Sequence, residues 1–421
     1  MVQGEKRGVK VRKVIRYLMI GLCIMCIGVV MLGNDDAYRK SQVQWPIKKF
    51  PDKFKEIATR VLSKSAIGEE QIISEKVEQY LNDMTIEEKI GQLFMIALDS
   101  EEGEGMTILN SQMKAKLQKS CVGGIILFKN NIKDKVQTKV LIETLQESSE
   151  IPLFIAVDEE GGMVSRVGNN SNINEKPFMA AGDIGKTGDE ALAYAEASRM
   201  GKLLKEIGFN MDFAPCGDIY NNPANTVIGS RSFGTSSEMV TPMMLAFAKG
   251  LKAEGILPVI KHYPGHGNTM EDSHDGLAYV YKSLEELEME ELIPFKEGIR
   301  NGVSGMMKGH LLVSAIDDRW PVSLSQKWQD YIEKTMDIND VLMITDALNM
   351  GAIVNNYGED EVVLRSFLAG NDILLMPTDI EEAEEVIYKA YQTGVITKEQ
   401  INHAVRKILT KKVEQNILPI S

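Results

Sequence analysis

The feature that most constrains the fold of this chain is an alternation of short apolar runs with longer amphipathic stretches. The apolar runs recur at Leu93–Leu98, Gly123–Phe128, Leu153–Val157, Phe209–Ala214, Leu257–Ile260, Gly302–Met307, Val341–Ile344 and Asp372–Met376. Helical periodicity lies between most of them, at Val136–Ser148, Glu190–Ile207, Met239–Glu254, Leu284–Arg300, Val362–Ala369 and Ile380–Tyr391, and a last helix is expected at Lys398–Glu414. Eight strands alternating with helices predict an α/β fold, a (β/α)8 TIM-type barrel. A doubly wound open sheet stays the alternative, because periodicity does not decide whether a sheet closes.

Polar side chains collect directly after four of these runs. They include Asp158 after the third run, Asp218 after the fourth, Lys261 after the fifth and Asp346 after the seventh. In a parallel barrel the carboxyl ends of all the strands meet at one rim, and that rim carries the active site. The sequence therefore predicts that these four residues lie near one another in an active site.

Charge and composition exclude some classes of function. The formal net charge is −13, and the N-terminal residues hold most of the positive excess, so the acidic remainder argues against nucleic acid as the main partner. No glycine-rich phosphate motif opens a helix, which disfavours nucleotide binding. The four cysteines form no Cys-x-x-Cys pair with histidine partners, and no metal or organic cofactor is predicted.

The N-terminal region precedes the barrel pattern and reads as a membrane attachment. Residues 1–16 are basic, 17–33 are uncharged and apolar, and 34–70 are polar and weakly periodic. A basic segment before an apolar one predicts an uncleaved single-pass anchor with its basic end in the cytoplasm, and a cleaved signal peptide, giving a secreted protein, is the alternative. Residues 34–70 are expected to be a tether, and residues 71–416 the catalytic domain, outside the cytoplasm.

The residue types at the predicted rim suit a ligand with many hydroxyl groups. Carboxylates, arginines, a lysine and histidines converge there, and cleavage of a glycosidic bond needs an acid and a carboxylate on opposite sides of that bond. These observations alone give a sugar hydrolase a modest lead over the other reactions that barrel enzymes catalyse.

One stretch carries a more specific signal. Lys261-His262-Tyr263-Pro264-Gly265-His266-Gly267, followed by Asp272-Ser273-His274, resembles the signature of family 3 glycoside hydrolases in their β-N-acetylglucosaminidase branch. The resemblance extends over about residues 75–415. It implies a TIM-type barrel and a glycosidase that needs no cofactor.

The resemblance also assigns roles to individual residues. Asp346 matches the nucleophile that attacks the anomeric carbon, and His274, oriented by Asp272, matches the acid/base. The expected sugar-binding residues are Asp158, Arg166, Arg231, Lys261 and His262, whereas His266 is expected to be structural. Three positions depart from the family pattern without removing a catalytic group: Met163, Tyr263 and Asn268.

The expected function is therefore a retaining β-N-acetylglucosaminidase that removes terminal GlcNAc from cell-wall muropeptides bearing GlcNAc-MurNAc. The alternatives are a β-glucosidase or β-xylosidase of the same family, a metal-dependent hydrolase using His262, His266 and His274, and a glycan-binding protein without activity. The sequence leaves open whether water or phosphate accepts the glycosyl group.

Overall fold

The computed structural model describes residues 71–99, 105–269 and 276–419. The predicted basic segment, membrane anchor and tether at 1–16, 17–33 and 34–70 lie outside these ranges. Within the described ranges, none of the helices combines the length and the apolar character needed to cross a bilayer.

The strands fall into one large sheet and two small ones. Their bounds are β1 (Phe94–Ala97), β2 (Gly124–Ile126), β3 (Phe154–Val157), β4 (Glu159–Gly161), β5 (Val164–Ser165), β6 (Met211–Asp212), β7 (Leu257–Tyr263), β8 (Ala278–Val280), β9 (Gly305–Lys308), β10 (Leu311–Val313), β11 (Leu342–Thr345) and β12 (Leu374–Leu375). Each of the eight predicted apolar runs overlaps one strand of the large sheet.

The large sheet is a nearly closed parallel barrel. Its strands lie in the order β11-β9-β7-β6-β3-β2-β1-β12, and neighbouring strands run parallel. A parallel bridge between Ile344 and Ile373 joins the two ends of this order. The prediction of a TIM-type barrel is confirmed to this extent, and the open doubly wound sheet is excluded. Residues on both faces of these strands are buried, which is why the strands appear in the sequence as continuous apolar runs.

Helices cover the outside of the barrel. Residues 71–83 are helical, and the later helices are Ile86–Gln92, Ser111–Ser120, Lys135–Glu147, Ala181–Thr187, Glu190–Ile207, Ser237–Ala253, Leu284–Met289, Leu292–Arg300, Gln326–Thr335, Gly351–Tyr357, Glu359–Leu368, Ile380–Gln392 and Lys398–Glu414. Several start at side chains that accept hydrogen bonds from the first turn, as Asp189 does from the amide of Ala191.

One predicted helix is wrong. The sequence predicts a single helix over Leu284–Arg300, whereas the structure has two helices that break at Glu290 and Glu291. Pro294 explains the break, because proline has no N–H to donate to the carbonyl of Glu290 and its ring would clash with that carbonyl.

Two small sheets lie at the carboxyl ends of the barrel strands and form part of the rim. The antiparallel hairpin β4–β5 follows β3 directly. The short parallel pair β8–β10 is formed by the segments that follow β7 and β9, with Tyr279 opposite Leu312. Both sheets therefore lie on the side of the barrel where the polar side chains collect.

Candidate active site

A buried lysine ties two strand ends together. Lys261, at the end of β7, donates from Nζ to Asp158 Oδ1 at 2.7 Å and to Glu160 Oε1 at 2.6 Å. Its side chain is almost completely buried, so the two carboxylates stand in for the water that the ammonium group has lost. Burial would lower the pKa of Lys261, but Asp158 and Glu160 raise it above its ordinary value, so the lysine is charged at neutral pH.

Glu160 has a second cationic partner in Arg231. The guanidinium donates from Nε to Oε2 and from Nη2 to Oε1, both at 2.8 Å, which is a bidentate pair. Burial would raise the pKa of Glu160, but the charges of Arg231 and Lys261 lower it to about 2. Asp158, Lys261, Glu160 and Arg231 thus form one buried chain of alternating charge.

Asp218 fixes the neighbouring histidine. Its Oδ2 accepts from His262 Nδ1 at 2.6 Å, and its Oδ1 accepts from the backbone amide of His266 at 2.6 Å. Burial would raise the pKa of Asp218, but the imidazole of His262 holds it well below its usual range. Because Nδ1 donates to the carboxylate, Nε2 of a neutral His262 is the acceptor for Arg231 Nη2, 3.3 Å away. The ring is therefore oriented from both sides.

The segment after β7 is fixed mainly through His266. Its Nδ1 lies 2.7 Å from Thr269 Oγ1, and the side-chain amide of Asn225 donates to the carbonyl of His266 at 2.9 Å. Burial lowers the pKa of His266, so its ring is neutral. A Cβ on Gly267 would lie 1.8 Å from the carbonyl oxygen of Ile219, so the close approach of the two segments requires glycine there. His266 thus has the structural surroundings expected from the sequence.

Asp346 lies at the end of β11 and is partly exposed. Its Oδ1 accepts from the amide of Ala347 at 2.8 Å. Burial would raise the pKa of Asp346, but the nearby imidazoles of His310 and His262 bring it below its ordinary value. Asp346 is therefore an ionised carboxylate at neutral pH, next to the chain of buried charges.

His310 is a site residue that sequence reasoning missed. It is fully buried, its Nε2 lies 2.9 Å from the carbonyl oxygen of Ala347, and its Nδ1 lies 2.7 Å from Ser323 Oγ. The carbonyl of Ala347 can only accept, so Nε2 of His310 carries a proton, whereas the Ser323 hydroxyl can pair with Nδ1 in either role. His310 comes three residues after the sixth apolar run, as the other polar groups follow their own runs, and that position was the available signal.

The sequence also gave no role to Glu160 or Asp218, although both lie in the segments that it singled out. Of the predicted sugar-binding residues, Asp158 contacts Lys261 directly and Arg231 contacts His262 directly. Glu160 links these two pairs. Arg166 lies at the edge of this group, with Nη2 4.0 Å from Asp158 Oδ2 and its guanidinium over the ring of Phe128. Asp272 and His274 lie outside the described residues.

A group of three side chains has the spacing of a metal site. Donor atoms of Cys216, Asp218 and His262 lie within 4.8 Å of one another. Hydrogen bonds account for their arrangement, because Cys216 Sγ donates to the same Asp218 oxygen that accepts from His262, at 3.1 Å. Burial raises the pKa of the Cys216 thiol well above its ordinary value, and a protonated thiol is a poor metal ligand. The positions of these protons favour a hydrogen-bonded cluster over a metal site.

Comparisons with known proteins match most of the chain to one family. The description "Glycosyl hydrolase family 3 N terminal domain" matches residues 85–411. The chain is 30% identical over 367 residues to beta-hexosaminidase A of Pseudoalteromonas piscicida, a match that covers 79% of this chain and 61% of that protein. It is 31% identical to beta-hexosaminidase LpqI of Mycobacterium tuberculosis, over 65% of this chain and 71% of that one.

A solved structure shares the fold at similar identity. The family 3 β-N-acetylglucosaminidase of a Paenibacillus species superposes with a TM-score of 0.73 at 33% identity, and the match covers 79% of this chain and 63% of that one. The chain thus spans somewhat less than two thirds of this neighbour and of the Pseudoalteromonas protein.

The buried charge chain makes Glu160 a test of what stabilises the site. Glu160→Gln removes the anion between Lys261 and Arg231, and breaking such a buried pair should cost about 3–5 kcal/mol of unfolding free energy at pH 7. Because the pKa of Glu160 falls from 4.5 to about 2 on folding, the wild-type advantage should be full above pH 4.5 and disappear as the pH falls towards 2. Denaturant unfolding across this range measures it.

The matched control is Glu297→Gln, which breaks the exposed pair between Glu297 and Arg300. That change should cost less than about 1 kcal/mol. A Glu160→Gln variant as stable as this control, or one whose deficit persists unchanged at pH 2, would show that the buried pair does not stabilise the site.

Proposed function

The chain belongs to glycosyl hydrolase family 3, and from this premise we propose that it is a retaining β-N-acetylglucosaminidase. The observation that carries the proposal is the ionised, partly exposed Asp346 beside the buried chain of Asp158, Lys261, Glu160 and Arg231. The relatives named beta-hexosaminidase and β-N-acetylglucosaminidase support the choice of an N-acetylated sugar.

The polar cluster is suited to hold the terminal sugar. Asp158 can accept hydrogen bonds from two sugar hydroxyls, while Lys261 and Arg231 offer donors that are already fixed in place. His262 lies in the same cluster and holds the Arg231 guanidinium through Nε2. Arg166 reaches the same group from the hairpin β4–β5. Since these side chains are held by each other before substrate arrives, little further ordering is needed when the sugar binds.

The reaction proceeds in two displacements at the anomeric carbon. An Asp346 oxygen forms a bond to this carbon while the glycosidic C–O bond breaks, and the leaving oxygen takes a proton from His274. Water then attacks the glycosyl-enzyme and gives a proton to His274, and Asp346 is released as a carboxylate. Two inversions at one carbon leave the β configuration unchanged.

The acid/base role of His274 rests on the motif Asp272-Ser273-His274. A carboxylate that accepts from one ring nitrogen fixes the tautomer and raises the basicity of the other nitrogen, which is the role we propose for Asp272. A histidine alternates between cation and neutral base, so it places no second anion beside Asp346. Thr269, held by His266 and Asn225, lies three residues before Asp272 in the chain.

We place the protein at the cell membrane with the barrel outside the cytoplasm. The support is the cationic residues of 1–16 before the uncharged stretch 17–33, followed by the polar segment 34–70. Outside a bacterial membrane the abundant polymer with β-linked GlcNAc is the cell wall. We therefore propose GlcNAc-MurNAc muropeptides as the substrate.

The nucleophile is tested by Asp346→Asn. The amide cannot form the glycosyl ester, so turnover of a chromogenic β-GlcNAc substrate should fall by about 10^4-fold or more while the fold persists. Asp337→Asn is the matched control, because Asp337 is exposed and precedes β11 at the opposite end of the barrel. Turnover of Asp346→Asn close to that of the control would refute the assignment.

The acid/base is tested by His274→Ala with two leaving groups. An activated phenolate departs without a proton, whereas a sugar alkoxide does not, so cleavage of GlcNAc disaccharide should suffer far more than cleavage of a dinitrophenyl glycoside. The steady-state kcat/KM for each substrate gives the comparison, with His403→Ala on the outer helix Lys398–Glu414 as the control. Equal losses for both leaving groups would count against an acid role.

The proposals about membrane location and about substrate can be tested independently. Membrane fractionation should recover the full-length protein in the membrane pellet, and its recovery in the soluble cytoplasm would refute the anchor. Purified GlcNAc-MurNAc muropeptides should release free GlcNAc. Activity on the GlcNAc disaccharide without release from muropeptides would overturn the substrate but not the hexosaminidase chemistry.

A further inference from the structure

One buried carboxyl group holds the turn that follows the hairpin β4–β5. Glu159 is the first residue of β4 and is completely buried. Its Oε2 accepts hydrogen bonds from three consecutive backbone amides, those of Arg166, Val167 and Gly168, at 2.9, 2.7 and 3.0 Å. Successive N–H groups that converge on one acceptor form a concave nest, and the acceptor fixes their direction. The side chain of Glu159 therefore determines where the backbone of Arg166 lies.

The same residue is also tied to the barrel. The backbone amide of Glu159 donates to Asp212 Oδ1 at 2.9 Å, and Asp212 is fully buried at the end of β6. Asp158, which links β3 to Glu159, binds Lys261 at the end of β7. The turn is thus connected through Glu159 to the ends of β3, β6 and β7.

The turn packs against this carboxyl group without spare room. A Cβ on Gly168 would lie 2.8 Å from Glu159 Oε1 and 2.3 Å from the ring of Phe178. Both distances are shorter than van der Waals contact, so the turn requires glycine at this position to approach the carboxyl group. A larger side chain at position 168 would move the turn away from Glu159, and the backbone of Arg166 with it.

The two arginines of the sugar-binding cluster are held in different ways. Glu160 binds the guanidinium of Arg231 with both oxygens, so that side chain is fixed directly. The Nη2 atom of Arg166 is 4.0 Å from Asp158 Oδ2, and its buried Nε has no hydrogen-bond partner within the described residues. The position of Arg166 therefore depends on its backbone, which Glu159 holds.

We infer that Glu159 is a positioning residue for sugar binding, which holds the backbone of Arg166 so that its guanidinium faces the terminal sugar beside Asp158. Direct pairing with a carboxylate would occupy the N–H groups that donate to a sugar hydroxyl, whereas support through the backbone leaves them unoccupied. Holding the arginine in place before the sugar binds reduces the ordering that binding requires. The inference rests on the proposed glycosidase function and adds a residue that acts on the substrate only through Arg166.

A double-mutant cycle with Arg166→Ala tests the inference, with kcat/KM for a chromogenic β-GlcNAc substrate as the readout. Glu159→Leu removes the acceptor of the three amides, so kcat/KM should fall about tenfold, mainly through KM. In the Arg166→Ala background the same change should cost less than about twofold, because the residue through which Glu159 acts is already absent. Glu159→Gln keeps an oxygen that can accept from the amides and should retain most of the wild-type kcat/KM.

Two further variants make the test independent of whether Glu159→Leu folds. Gly168→Ala displaces the turn without changing Glu159, and its loss of kcat/KM should likewise depend on the presence of Arg166. Asp189→Leu is the matched control, because it removes a carboxylate oxygen that accepts from two consecutive amides at the start of the outer helix Glu190–Ile207. The control should leave kcat/KM within about twofold in both backgrounds.

The outcomes separate positioning from general stabilisation of the fold. Equal losses with and without Arg166, in Glu159→Leu or in Gly168→Ala, would mean that Glu159 does not act through the arginine and would overturn the inference. Wild-type kcat/KM in Glu159→Leu or in Arg166→Ala would also overturn it, while the glycosidase function stands. A wild-type protein that does not cleave the β-GlcNAc substrate would overturn the proposed function, and the inference with it.

Discussion

The arrangement of this site depends on charges that are buried and therefore must be paired. Lys261 is almost completely enclosed, and its ammonium group is stable there only because Asp158 and Glu160 surround it. Glu160 in turn requires Arg231, which comes from a segment 71 residues away in the chain. Since removing one partner would leave an unpaired buried charge, the pairing fixes how the ends of β3 and β7 and the segment after β6 lie relative to one another. The buried charges therefore permit few other arrangements of these three segments.

The pairing of charges in the described residues leaves the carboxylate of Asp346 available for the reaction. Asp158, Glu160 and Asp218 are each bound to a cation or an imidazole, whereas Asp346 is held by the amide of Ala347 and has imidazoles nearby. His310 positions the backbone at Ala347 and stabilises negative charge beside it. Asp346 is thus kept ionised without being engaged by a direct ion pair among the described residues. A nucleophile needs this combination, because a carboxylate locked to a lysine would be a weaker one.

The sequence predicted the barrel well because each strand is buried on both faces and appears as an apolar run. It predicted that Asp158, Lys261 and Asp346 converge, because parallel strands bring their carboxyl ends to one rim. It missed Glu160 and His310, and it placed Asp218 at the rim without identifying its partner His262. These roles come from partners distant in the chain, since Asp218 and His262 are 44 positions apart. The break at Glu290 was missed because periodicity continues across it, although Pro294 was a local sign.

If Asp346 forms a covalent glycosyl-enzyme, the stereochemistry of the first product reveals it. Proton NMR of a β-GlcNAc substrate during the first turnovers, before the free sugar mutarotates, distinguishes the two anomers of released GlcNAc. Double displacement predicts that the β anomer accumulates first. Initial release of the α anomer would mean a single displacement by water and would contradict a covalent role for Asp346.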